Sequence, residues 1–211
     1  MTYAVAVARW EPNAGQRLAS AALTLFAERG YDATTVNDIS ERAGLTKSTF
    51  FRHCNDKREV LFLGQDGMTA RLAEAVHAST PETPPADVLA AVLDAIGTFF
   101  PEEIRAAATM RATVVAAHAE LRERELLKGA ELSSAIENAV RKQGRGETAA
   151  RFLSALGLLA LDITYHRWIA DPDERSYRDH AAETLDELVA QASELPGPAD
   201  TTRTTSGRSP G

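Results

Sequence analysis

Thr46, Lys47, Ser48 and Thr49 follow one another along the chain, and Arg52 comes one helical turn later. Short or basic donors thus occupy the start of a helix, with another cation further along it. Such donors suit base edges and phosphate oxygens. The major groove of B-DNA, roughly 12 Å wide, admits one helix, which meets the bases with its N-terminal residues. Lys57 and Arg58 open the next predicted element, where an ammonium beside a positive helix end can hold a phosphate. A three-helix bundle with a solvated basic face is the competing reading of the same residues.

Presenting those donors takes a helix-turn-helix, and the residues over 35–54 predict one. Thr35 is an N-cap with Asp38 at the third helical position. Val36, Ile39 and Ala43 face inward, Gly44 ends the helix and Leu45 fills the turn. Thr46 caps a second short helix, Lys47 to His53, with Phe50 turned to the core. An earlier helix is predicted to start at Asn13, with Gln16 completing a capping box. Its stripe is Leu18, Ala22, Leu25 and Phe26, and Gly30 closes it. Asn55 is expected to cap a fourth helix carrying Val60, Leu61 and Leu63.

Three prolines between Ser79 and Pro85 predict a loop. Five further helices are expected near 87–99, 101–117, 120–143, 147–170 and 174–193. No strand alternation or hairpin signal interrupts them, so the fold class is all-α. The domains predicted are 12–72, with the helix-turn-helix, and 73–195, a larger helical unit. The Thr-, Ser-, Pro- and Gly-rich tail, 196–211, is expected to be disordered.

The whole 211-residue chain has a net charge of −7, which taken alone speaks against nucleic acid. Its distribution matters more. Residues 1–60 carry 8 Lys/Arg against 7 Asp/Glu, whereas residues 61–211 carry 15 against 23. Only the N-terminal part is suited to meet phosphates. One cysteine, Cys54, leaves no internal disulfide framework. The apolar run Phe152–Leu161 is too short to span a bilayer and ends at Asp162. Together with the absence of a signal-peptide pattern, this predicts a soluble cytoplasmic protein.

Residues Arg17–Leu63 resemble the DNA-binding domain of the TetR family of bacterial repressors. The resemblance runs through Leu25-Phe26-Ala27-Glu28-Arg29-Gly30-Tyr31, Thr34–Ser40, Ala43–His53 and Asp56–Leu61. It implies that Thr35 and Lys57 hold phosphates and that Thr46, Lys47, Ser48 and Thr49 form the leading turn of the recognition helix. Phe51 stands where the family usually has a tyrosine that touches the DNA backbone, Ser48 replaces a common glycine, and Cys54 a usual phenylalanine. The runs Arg122–Lys128 and Arg167–Trp168 are similar to actinobacterial members. The resemblance implies a homodimer on pseudo-palindromic double-stranded operator DNA, acting as a repressor.

The second domain, about 130 residues, exceeds what dimerisation alone requires, so a small-molecule effector is expected. Phe99, Phe100, Met110, Thr113, His118, Tyr165, His166 and Trp168 are the candidates to line its site. Phe152, Leu156, Leu159 and Ile163 on one helix, and Tyr177, Ala181, Leu185, Leu188 and Ala192 on the last, predict a four-helix seam with a partner copy. Asp162 and His166 share a helix face but are too few for a metal site, and a hydrogen-bonded pair is the plainer reading. No cofactor, metal or catalytic motif is expected; a P-loop, nucleophile elbow and dinucleotide fingerprint are all missing. The alternatives to an effector-released regulator are a helical architectural DNA-binding protein and an all-helical enzyme.

Overall fold

The computed structural model describes residues 14–194. The predicted Asn13 cap and the tail after Pro196 lie outside the described residues. Those described are helical throughout, with no strand among them. Helix α1 (Ala14–Arg29), α2 (Val36–Arg42) and α3 (Lys47–His53) form the small N-terminal bundle. Leu18, Leu25, Ile39 and Phe50 fill its centre, none more than 1% exposed. Burying each such side chain contributes about 1.5–3 kcal/mol.

The α2–α3 turn follows from its residues. The Thr35 hydroxyl accepts from the N–H of Asp38, and the Asp38 carboxylate accepts from the N–H of Thr35, a complete capping box. At the other end of α2, Leu45 N–H donates to the Ser40 carbonyl and Gly44 N–H to that of Glu41, at 2.8 and 2.9 Å. This is the Schellman arrangement, and it needs a left-handed residue after the cap. Gly44 supplies it, with φ +64°. The Arg42 guanidinium forks onto Glu28 of α1 at 3.1 and 2.7 Å, fixing the end of α2.

The expected fourth helix does not begin at Asn55. Asp56 is the local cap instead, its Oδ1 accepting from the N–H groups of Arg58 and Glu59. A 3₁₀ turn follows over Arg58–Phe62, Leu63 is extended, and Gly64 sits at φ +91°. Only then does α4 run, Gln65–His77. The left-handed residue breaks what sequence periodicity joins into one helix.

The larger domain follows the predicted pattern closely. It comprises α5 (Pro85–Gly97), α6 (Arg105–Ala117), α7 (Ala119–Lys142), α8 (Glu147–Ala170) and α9 (Tyr177–Glu194). Pro85 takes the first turn of α5, where its missing N–H costs nothing. A Ser176–Asp179 capping box starts α9 three residues later than expected. The core joins Leu72 and Val76 of α4 to Val92, Leu93, Ile136, Leu153 and Trp168. Helix α8 contains an 18-residue stretch of mean hydropathy 1.2, which by length and composition could cross a bilayer, although its most apolar run is short. Here Leu153, Gly157, Ala160 and Trp168 bury one face of it among the other helices, while Phe152 and Leu159 stay 49% and 44% exposed.

The two parts share a seam. Val115 of α6 and Leu121 of α7 belong to the core of the small bundle. Arg111 donates to the Leu61 carbonyl at 2.9 Å, and Arg124 pairs with Glu59. The Gln65 amide donates to the Lys128 carbonyl at 3.0 Å, holding the start of α4 to α7.

Candidate nucleic-acid interface

Helix α3 is anchored by a single residue, Phe50, which is fully buried. Thr46 caps the helix: its hydroxyl accepts from the Thr49 N–H at 3.1 Å and lies 3.0 Å from the Thr49 hydroxyl. With Phe50 and the cap fixing rotation and start, Lys47, Ser48, Phe51, Arg52 and His53 are exposed, and Thr49 half-buried. The Lys47 ammonium stands 6.0 Å from the Phe51 ring centre, at the outer reach of a cation–π contact. Phe51 itself is 48% exposed, an apolar ring among donors.

Thr35, also exposed, sits at the N-terminus of α2, and its bond holds the Asp38 carboxyl below the usual carboxylate range. Lys57 is half-buried rather than extended into solvent. Its Nζ donates to the Tyr31 carbonyl at 2.8 Å and lies 3.9 Å from the Tyr31 ring centre. One of the three ammonium donors is thereby used, which leaves donors for a phosphate. The arrangement offers hydroxyls and cations to an acceptor surface. Burial above all, then the carboxylates of Glu59 and Asp56, pushes the Cys54 thiol up to about 12, so it stays protonated at neutral pH.

Sequence reasoning named Lys57 but missed Tyr31, whose contact lies 26 residues away in the chain. It also passed over His53, which stands exposed at the end of α3. Its position four residues after Thr49 was the available signal.

The effector candidates are only partly brought together. Phe100, Tyr165 and Trp168 form one aromatic cluster with Tyr177, with ring centres 4.9 to 6.3 Å apart. Phe99 reaches toward Gly67 of α4. Met110 and Thr113 lie exposed on α6, and His166 exposed on α8, 3.6 Å from Asp162. His118 packs on Tyr31 at the seam, ring centres 4.8 Å apart, away from the cluster. Among the described residues no group of three potential metal ligands exists.

Residues 18–62 match the model of the bacterial regulatory proteins, tetR family. Over 77 residues the chain is 34% identical to the HTH-type transcriptional repressor Rv3405c of Mycobacterium tuberculosis, covering 36% of this chain and 39% of that one. The chain therefore matches well under half of that relative's length. Across 87% of this chain and 97% of the other, the fold is similar to a protein of Syntrophomonas wolfei assigned to the TetR family of transcriptional regulators, with TM-score 0.59 and 12% identity. It is also similar to SmeT in its triclosan complex, with TM-score 0.56 and 18% identity over 85% of this chain and 91% of that one. The chain has a TetR-like fold, a helix-turn-helix bundle followed by a larger helical domain. The family match itself is confined to the N-terminal bundle, residues 18–62.

Proposed function

We propose that the chain is a sequence-specific DNA-binding transcriptional regulator, a cytoplasmic repressor that is released from its operator by a small-molecule effector. The observation that carries this is the exposed donor face of α3, held by the Thr46 cap and the buried Phe50 within a TetR-type bundle. Lys47, Ser48 and Thr49 read base edges; Thr35, Thr46, Arg52 and Lys57 hold the backbone; Phe51 contributes an apolar contact.

A homodimer brings two such faces onto a pseudo-palindrome. Two recognition helices reach successive major grooves when they stand about 34–36 Å apart. The half-exposed Phe152 and Leu159 of α8 and Val189 of α9 are the surface this leaves for the partner.

The triclosan complex of SmeT, a protein of similar fold, supports a small-molecule effector, which we place in the larger domain. Phe100, Tyr165 and Trp168 pack together there, and a ligand entering between them has to part these rings. A ligand in that domain acts only by favouring a different head spacing. The Gln65–Lys128 bond gives it a route, because a shift of α7 carries the start of α4. The coupling is on the order of 1–3 kcal/mol, a 5- to 150-fold weaker operator complex. The experiment is a thermal-shift screen for binders, followed by ligand affinity with and without a selected operator duplex. Reciprocal weakening supports the reading. Equal affinities would remove the effector from it.

A further inference from the structure

We infer that Tyr31 is the positioning residue for Lys57, fixing the ammonium at the DNA-facing side while its ring is backed by the first turn of α7. This rests on the reading of Lys57 as a phosphate contact. The geometry is a stack across the domain seam. On one side of Tyr31 stands the Lys57 Nζ, 3.9 Å from the ring centre and 2.8 Å from the carbonyl of the same residue. His118 touches the ring as well, with centres 4.8 Å apart and planes tilted by 44°. Phe26 meets it edge-on at 5.0 Å. Tyr31 is 2% exposed, so it is not a surface side chain placed by chance. Burial first, and then the Glu120 carboxylate, holds its phenol well above the ordinary value, which places Glu120 beside the phenol.

The parts that meet at Tyr31 come from both domains. His118 is the N-cap residue of α7 and Glu120 lies in its first turn. Leu121, one residue on, is completely buried in the core of the small bundle. The start of α7 is thus wedged into the DNA-binding bundle, against the ring that holds Lys57. A lysine side chain otherwise samples many rotamers, and holding one of them removes that entropy before DNA arrives. A displacement of α7 reaches Lys57 through two contacts, a shorter route than tilting the whole of α4.

The test is a double-mutant cycle on the full chain, read as the affinity and salt slope of binding to a duplex of arbitrary sequence, which needs no operator. Lys57→Gln alone lowers the slope by about 0.9, the release of one phosphate contact. An unchanged slope there overturns the docking reading and this inference together. Tyr31→Leu keeps the backbone carbonyl and removes the ring face. The expected result is about 5-fold weaker binding and a smaller slope in the Lys57 background, little or no effect in the Lys57→Gln background, and native behaviour for Tyr31→Phe. A purely structural Tyr31 gives the same loss in both backgrounds, and that result overturns the inference while leaving the docking reading intact. If Tyr31→Leu loses its helical circular dichroism, His118→Ala, which removes the backing from the ring, takes its place in the cycle with the same two outcomes.

Discussion

The guanidinium of Arg17 on α1 donates to the carbonyl oxygens of Ala43 and Gly44 at 2.5 and 3.4 Å, so the turn between α2 and α3 is bolted to the first helix. A Cβ built at Gly44 would stand 2.8 Å from that guanidinium, on a backbone already at φ +64°. Gly44→Ala therefore meets two penalties, left-handed strain and displacement of Arg17. We expect a loss of about 1–2 kcal/mol in urea unfolding. Stability within a few tenths of a kcal/mol of wild type would contradict this role for the turn.

The docking reading separates backbone holders from base readers. Lys57→Ala is expected to weaken binding to every duplex alike and to lower the salt slope by about one phosphate. Replacing Lys47 or Thr49 is expected instead to change sequence preference, each lost base contact costing about 1–3 kcal/mol at its own position. Fluorescence anisotropy over a salt series distinguishes the two patterns. Uniform weakening by Thr49→Ala would place Thr49 on the backbone.

Assembly is best probed on α8. The sequence stripe on the last helix points to Leu185, but Leu185 packs against the core of its own chain, so a charge there would disturb folding as well. Leu159, 44% exposed, has no such obligation. Leu159→Glu is expected to give a monomer in sedimentation with nearly unchanged melting temperature. A dimer of wild-type mass would exclude this face as the seam.

Acid stability depends on the hinge between α8 and α9. The Asp173 N–H donates to the Asp171 carboxylate at 3.0 Å, and Arg175 and His180 follow at 2.9 and 2.8 Å. Together they hold Asp171 down to about 2 from 3.8. A depressed carboxyl pKa stabilises the fold above the unfolded value, and that contribution fades as pH falls from about 4 toward 2. Asp171→Asn is expected to lose stability at neutral pH and to show a shallower drop in melting temperature below pH 4. A parallel drop in both proteins would mean that Asp171 is not the titrating group.

Much of this was legible in the sequence because local chemistry decided it. Thr35 with Asp38, Gly44, and Thr46 are short-range signals, and the helices they bound form where expected. The break at Gly64 was missed because Val60, Leu61 and Leu63 read as a helical stripe, and one left-handed residue leaves little mark on periodicity. Tyr31 was missed because its partners Lys57 and His118 come from distant parts of the chain. The effector candidates were chosen by residue type. The packing gathers Tyr165 and Trp168 with Phe100, but sends His118 to the seam and leaves Met110, Thr113 and His166 on the surface.

The central claim is that α3 reads DNA sequence from a two-fold assembly. Selection of bound duplexes from a random pool by the full chain, repeated with Lys47→Ala and Thr49→Ala, tests it most directly. The account predicts an enriched inverted repeat whose half-site preference changes in the variants while its symmetry remains. A pool without enrichment, or an enriched site indifferent to both α3 substitutions, would contradict it.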